Sequence, residues 1–97
     1  MGFDLQITPT AKIQVKEAVV FYRQKASAKI AKNFLKDYEK ALQTIKLNPY
    51  FQIYYKNFRG LPLKKFPFIL IFSVDEKAGL ITINAVFHSS QNPEKYP

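Results

Sequence analysis

The feature that most constrains the fold is a change of hydrophobic period at Asn48–Pro49. Before this point apolar residues recur at helical spacing, and after it they follow the pattern of β-strands. Thr8 before Pro9, and later Ser27, predict the N-caps of two helices, the first over about residues 9–24. Because only a few residues separate the helices, the sequence predicts an antiparallel helical hairpin over about residues 9–47.

Strand patterns flank this hairpin on both sides. Residues 3–8 alternate strictly between apolar and polar side chains, which predicts an opening strand. Further strand segments are predicted between residues 53 and 87. They are a short strand that contains Ile53–Tyr55 and Phe58–Arg59, a strand whose regular part starts near Phe68, since Pro67 cannot donate to a ladder, and a last strand over residues 80–87.

The predicted order is therefore β-α-α-β-β-β, an α+β fold in one domain that covers residues 1–97. The hairpin packs on one face of a small, mainly antiparallel four-stranded sheet, and residues 88–97 form a tail. Because the later strands are apolar on both sides, we expect the opposite face to be a partly apolar concavity, rimmed by Lys and Arg and available to a partner.

Charge and composition limit the classes of function. The chain has a net charge of +8, and the segment Asn48–Phe72 carries four basic side chains and no acidic one, which favours an anionic partner. A lysine stripe along the second helix has a plainer explanation as a solvated face. With no Cys, one His and three Gly, we expect no metal, cofactor or phosphate-cradling loop. No apolar run is long enough to span a membrane, so the expected location is the cytoplasm.

Several short motifs, in this order along nearly the whole chain, resemble one known family. The segment in which an Arg is followed by Lys, Phe, Pro and an aromatic residue is the most specific. The motifs are Thr8–Ala11; Ala18 with Phe21–Tyr22; Phe34 with Ile45–Pro49; Arg59 with Leu63 and Lys65–Phe68; and Val86, His88, Asn92 and Pro93. On these residues the chain resembles the RelE/ParE superfamily of toxins from type II toxin–antitoxin modules, on the ParE-like or plasmid-stabilisation side.

The resemblance implies a basic, growth-inhibiting toxin that an acidic antitoxin wraps and neutralises. It leaves two targets open. ParE-like members act on DNA gyrase and are not nucleases, whereas RelE-like members cut mRNA in the ribosomal A site. A degenerate member without toxicity is a third alternative. Fold alone does not choose among them, so the site residues must.

For metal-free RNA cleavage, the resemblance and the chemistry single out four residues. Arg59 could hold the scissile phosphate, and His88, Lys65 or Tyr96 could transfer protons. Each also has a structural explanation: Arg59 in packing and ion pairing, His88 as a corner after the last strand, and Tyr96 as an anchor of the tail.

For partner or target binding we expect a set of basic, aromatic and polar residues near the sheet. They are Lys56, Arg59, Lys64, Lys65, Phe68 and Gln91. Gln91 is a departure, because many relatives carry Arg at its position. The missing cation favours the non-nuclease alternative, and it also puts in doubt any target contact that this Arg normally makes.

Overall fold

The fold is a helical hairpin packed on one face of a mixed sheet. The structure, a computed structural model, describes residues 3–89. The elements in chain order are β1 (Asp4–Ile7), α1 (Pro9–Lys25), α2 (Ala28–Leu47), β2 (Ile53–Tyr55), β3 (Phe58–Pro62), β4 (Phe68–Asp75) and β5 (Leu80–His88). The predicted α+β architecture is confirmed.

The sheet has five strands, so the prediction of four is wrong in this detail. The stretch read as one short strand is a hairpin, because the chain reverses at Lys56–Asn57 between β2 and β3. Lys56 adopts a left-handed backbone with a φ of 50°. Two-residue turns of this kind usually have Gly or Asn at the positive-φ position. A lysine there gives no sign of a turn in the sequence.

Both predicted helix caps are present. The Thr8 hydroxyl accepts from the backbone N–H of Ala11 at 3.1 Å, and the Ser27 hydroxyl accepts from that of Ile30 at 3.1 Å. Each side chain satisfies one of the backbone donors that a helix leaves free at its start. Thr8 follows the end of β1, and Ser27 lies in the turn between the two helices. The two caps therefore fix where each helix begins.

The strand order is β1-β5-β4-β3-β2, with β1 parallel to β5 and every other pair antiparallel. The main core lies between the sheet and the hairpin. It is built on fully buried side chains from both layers, among them Phe34, Ile45, Leu70, Phe72, Ile81 and Ile83. The strand alternation expected for residues 3–8 is confirmed, since Phe3, Leu5 and Ile7 all pack against this core.

A bulge in β5 changes which side chains face the helices. Ile83 pairs with Phe72 but Ala85 pairs with Ile71, so Asn84 is an additional residue. The Asn84 side chain donates to the Ser73 hydroxyl and to the Thr82 carbonyl, both at 3.1 Å. The bulge turns Val86 toward the helices and Ala85 toward the opposite face.

That opposite face carries a second, smaller apolar cluster. Ile71, Ala85 and Phe87 are buried in it, with Tyr54, Phe58 and Ile69 packed around them. Its central residues are already covered, whereas the sequence led us to expect a partly apolar concavity, rimmed by Lys and Arg, on this face.

Gly60 in β3 is required by this second cluster. A Cβ at this position would lie 2.8 Å from Cε1 of Tyr54, inside the contact distance of the ring. We therefore expect Gly60→Ala to lower the free energy of unfolding by about 1–3 kcal/mol, the usual cost of overpacking. Urea denaturation measures this directly.

The matched control is the same substitution in a Tyr54→Ala background. There the cost of Gly60→Ala should fall to about 0.5 kcal/mol or less, because the two sites are in contact and their effects are coupled. An equal cost in both backgrounds would contradict the close approach of Tyr54.

Candidate functional site

The β3–β4 loop presents two lysines at one end of the sheet. The backbone closes on itself there, because the N–H of Leu63 donates to the carbonyl of Phe68 at 2.8 Å and the N–H of Phe68 to that of Phe66 at 2.8 Å. The buried carboxylate of Asp37, on α2, accepts from the backbone N–H of Lys65 at 2.8 Å. The loop is therefore held from below while the side chains of Lys64 and Lys65 remain exposed.

An aromatic cluster anchors the same loop to the hairpin. The Phe66 ring lies 5.1 Å from that of Tyr22 and 5.5 Å from that of Phe34, and the Phe68 ring lies 5.2 Å from Phe34. Edge-to-face contacts at these distances stabilise aromatic pairs beyond their burial alone. Burial in this cluster raises the pKa of the Tyr22 phenol.

His88 lies at this end of the sheet as well. It pairs with Phe68 across β4 and β5, and the two rings are 5.2 Å apart. The next residue, Ser89, donates its backbone N–H to the Pro67 carbonyl at 2.7 Å. We call the group of Lys64, Lys65, Phe68 and His88 the loop end of the molecule.

A small cavity of about 290 Å³ opens beside His88. Gln14, Glu17, Phe68 and Val86 contribute to its lining. The Gln14 side-chain oxygen accepts from the backbone N–H of Val86 at 2.7 Å, which satisfies the edge of β5 beyond the end of β1. The polar side chain of Gln14 is therefore engaged in holding α1 to the sheet.

Arg59 lies away from the loop end, and its side chain contacts the connection between α2 and β2. Its Nη1 donates to the carbonyl of Phe51 at 2.7 Å, and its guanidinium carbon lies 5.3 Å from the centre of the Tyr50 ring. The Tyr50 hydroxyl in turn donates to Oε2 of Glu76 at 2.9 Å. The hydrogen bond to Glu76 raises the pKa of the Tyr50 phenol, because ionisation would break it and place two anions together. Arg59 thus fastens the α2–β2 connection to β3.

The register of the sheet separates Arg59 from His88. Arg59 pairs with Phe72 and His88 pairs with Phe68, so the two positions are four residues apart along β4. This is about 14 Å along the strand, with two further strand spacings of about 5 Å each between β3 and β5. The structure does not bring these two side chains to one pocket.

The other predicted site residues are distributed as follows. Lys56 is exposed at the β2–β3 turn, with its Nζ 5.3 Å from the Tyr55 ring. Gln91 and Tyr96 lie outside the described residues. Sequence reasoning missed Asp37, although a carboxylate three residues after Phe34 on the apolar stripe of the second helix is a usable signal of a buried acid with a partner.

Two observations concern other kinds of site. Within residues 3–89 no three His, Asp or Glu side chains cluster so that they could hold a metal ion. Neither α1 nor α2, the helices in that range, is long and apolar enough to cross a membrane.

The fold is shared with solved toxin–antitoxin proteins, and the sequence matches the model of one toxin family. The sequence model of the ParE toxins of type II toxin–antitoxin systems (parDE) matches residues 5–93, which is most of the chain. This chain therefore belongs to the ParE toxin family. No curated protein sequence matches it.

Solved structures share the fold at low sequence identity. The chromosomal ParDE toxin–antitoxin system from P. aeruginosa aligns with a TM-score of 0.78 and 17% identity, over 89% of this chain and 95% of that chain. The RelBE2 toxin–antitoxin complex from Mycobacterium tuberculosis aligns with a TM-score of 0.60 and 14% identity, over 94% and 95% of the two chains. The isolated E. coli RelE toxin aligns with a TM-score of 0.54 and 10% identity, over 95% of this chain and 89% of that chain.

The contacts of Arg59 make a prediction about stability. We expect Arg59→Ala to lower the free energy of unfolding by about 1–2 kcal/mol, because it removes a hydrogen bond from a charged donor. Thermal or urea denaturation measures the change. Lys64→Ala is the matched control, and this exposed cation should change stability by about 0.5 kcal/mol or less. Equal effects of the two substitutions would show that the contacts of Arg59 are not structural.

Proposed function

We propose that this protein is the toxin of a type II toxin–antitoxin module and that it acts by binding a protein target. The target that the family resemblance implies is DNA gyrase. The action would then take place in the cytoplasm, and its effects would be growth inhibition and plasmid stabilisation. An acidic cognate antitoxin neutralises the toxin by covering its surface.

The observation that carries this proposal is the separation of Arg59 from His88. RNA cleavage without a metal needs a cation on the scissile phosphate and proton-transfer groups beside the same phosphate. Arg59 is bonded to Phe51 and lies about 14 Å along β4 from the position of His88. A site that binds a protein needs no such convergence.

The loop end supports a binding role. Its two exposed lysines project from a loop that is fixed by Asp37 and by the aromatic cluster, so the charges are presented on a rigid support. A preorganised surface loses less entropy on association than a flexible one, which favours binding. We infer that Lys64, Lys65 and Phe68 contact the target.

The antitoxin partner is proposed by analogy with the solved relatives. The RelBE2 structure from Mycobacterium tuberculosis and the intact E. coli RelBE structure are both toxin–antitoxin complexes. The net charge of +8 on this chain favours an acidic segment as the partner.

One observation favours the nuclease alternative. Lys64, Lys65 and His88 all belong to the loop end, so two cations and an imidazole ring share one end of the sheet without Arg59. An mRNA endonuclease built on these three residues is therefore the second candidate, and the same experiment separates it from the first.

The experiment is induced expression in growing cells, with and without the adjacent open reading frame. We expect growth arrest that co-expression of the adjacent product relieves, intact translated mRNA by primer extension, and DNA damage that disappears in gyrase-resistant cells. Lys64→Glu with Lys65→Glu should weaken the arrest at equal protein levels, and Lys12→Glu with Lys16→Glu on α1 is the charge-matched control.

Three results would overturn the proposal. Codon-phased cuts in mRNA that His88→Ala abolishes would establish the nuclease alternative. Unimpaired growth at high protein levels would establish a degenerate member. Growth arrest that persists with the adjacent product present would remove the antitoxin from the account.

A further inference from the structure

The two helices carry most of the positive charge of the chain. Nine of its fifteen Lys and Arg side chains lie on α1 or α2, and all nine are exposed. Of the three acidic side chains on the helices, Asp37 is buried, which leaves Glu17 and Glu39 exposed. Nine exposed cations against two exposed anions give the helices an exposed charge of +7.

Exposed apolar side chains lie on the side of α1 that faces away from the sheet. A residue two positions further along a helix is turned by about 200° around the helix axis. Ile13 follows buried Ala11 in this way, and Val20 follows buried Ala18. Ile13 is 56% exposed, Val20 42% and the adjacent Phe21 54%. Since the two alanines belong to the core under the helix, Ile13 and Val20 point outward.

The lysines of α2 point in the same direction. Lys36 follows buried Phe34 by two positions, and Lys40 follows buried Tyr38 in the same way. Both helices bury their inner sides against one face of the sheet, so their outer sides form one surface. We call this surface the outer face of the hairpin. It carries Ile13, Lys16, Val20 and Phe21 on α1 and Lys32, Lys36 and Lys40 on α2.

A solvated face explains the lysines of this surface but leaves its apolar residues unexplained. Ile13, Val20 and Phe21 lie within eight residues of one helix, a span of about 12 Å. Neither the cavity beside His88 nor the groove between α2 and β3 includes any of the three in its lining. They therefore stand singly on an outward surface among cations.

Two kinds of protein partner suit this arrangement poorly. A second copy of the chain would bring the same positive charge against itself, which opposes association. Other protein partners bind most strongly where apolar anchors fill well-packed pockets, and these three side chains line no such pocket.

An anionic bilayer suits both features of the outer face. Nucleic acid phosphates would bind the lysines, but they offer nothing to Ile13, Val20 and Phe21. Anionic lipids attract clusters of four to eight cations on a helical surface. The fluid boundary between headgroups and acyl chains also accepts apolar side chains without a pocket.

We propose that the outer face of the hairpin binds the surface of an anionic phospholipid membrane. The lysines lie at the level of the lipid phosphates, and Ile13, Val20 and Phe21 enter the layer below them. This inference goes beyond the proposed function and does not depend on it, because it concerns a surface apart from the loop end.

The first test is sedimentation of the full chain with vesicles. One set contains equal parts of phosphatidylglycerol and phosphatidylcholine, and the other contains phosphatidylcholine alone. We expect binding to the anionic set only, and at least tenfold weaker binding in about 1 M salt, which screens surface charges. Ile13→Gln with Val20→Gln should also weaken binding at least fivefold, because it removes apolar side chains that enter the bilayer.

Charge reversal on the outer face tests the site itself. Lys32→Glu with Lys36→Glu should weaken binding to the anionic vesicles at least tenfold, since each cation near such a surface contributes about fivefold in affinity. Lys56→Glu with Lys77→Glu makes the same change at exposed positions in the turns of the sheet. This matched control should change the affinity less than threefold. Melting curves verify that every variant remains folded.

Fluorescence tests whether the apolar residues enter the bilayer. The chain contains no Trp, so one introduced indole reports its own surroundings. Phe21→Trp should shift its emission to the blue when anionic vesicles are added, and lipids with brominated acyl chains should quench it. Tyr55→Trp, at a 48% exposed position on β2, is the matched control and should show neither effect.

Each contrary result overturns the proposal in a different way. Equal losses of affinity in the outer-face and control charge variants would show that net charge acts without a defined site. Binding without a blue shift for Phe21→Trp would show that the apolar residues stay outside the bilayer. Binding to a DNA duplex but to neither vesicle set would make the surface a nucleic-acid site. Binding to neither DNA nor vesicles would leave the lysines as a solvated face.

Discussion

The packing of Phe34 is the interaction on which the rest of this structure depends. The ring is fully buried, and the rings of Tyr22, Phe66 and Phe68 lie around it. These residues come from both helices, from the β3–β4 loop and from β4, so one aromatic cluster joins the hairpin to the sheet. The exposed lysines of the loop keep their position because the aromatic residues beside them are fixed in this cluster.

Two groups of charged and polar side chains lie at different ends of the sheet, and they have different roles. At one end Arg59, Tyr50 and Glu76 are engaged with one another and with the backbone of the α2–β2 connection. The other group is the loop end, where the backbone of Lys65 is bonded to Asp37 while the side chains of Lys64 and Lys65 are exposed. A groove between α2 and β3, lined by Leu47, Leu61 and Leu63, adds an apolar surface beside these cations. Charge alone suggested an anionic partner, and a basic surface next to an uncovered apolar groove is the chemistry expected for an acidic protein segment.

Much of the fold could be predicted from sequence because its signals are local. The 3.6-residue period, the caps Thr8 and Ser27 and the proline at position 67 depend on neighbouring residues only, and they predicted both helices and the start of β4. The β2–β3 turn was missed because Lys56 gives no sign of a positive φ. The bulge at Asn84 was missed because nothing in the apolar run of β5 marks it, and it decides which side chains face the helices.

The candidate site was less predictable, since its residues meet only in the tertiary structure. Arg59 and His88 each looked suited to phosphate chemistry, but strand register places them far apart. Asp37 has its partner 28 residues later in the chain, a pairing that no local pattern reveals.

The most direct test of this account is a double-variant cycle of Arg59→Ala and His88→Ala, read as the induced protein level that halves the growth rate. The account predicts that the two fold-changes multiply, because the residues belong to separate parts of the molecule and distant sites act independently. The account is contradicted if the double variant is as toxic as the less toxic of the two single variants. That non-additivity is what two members of one catalytic unit show.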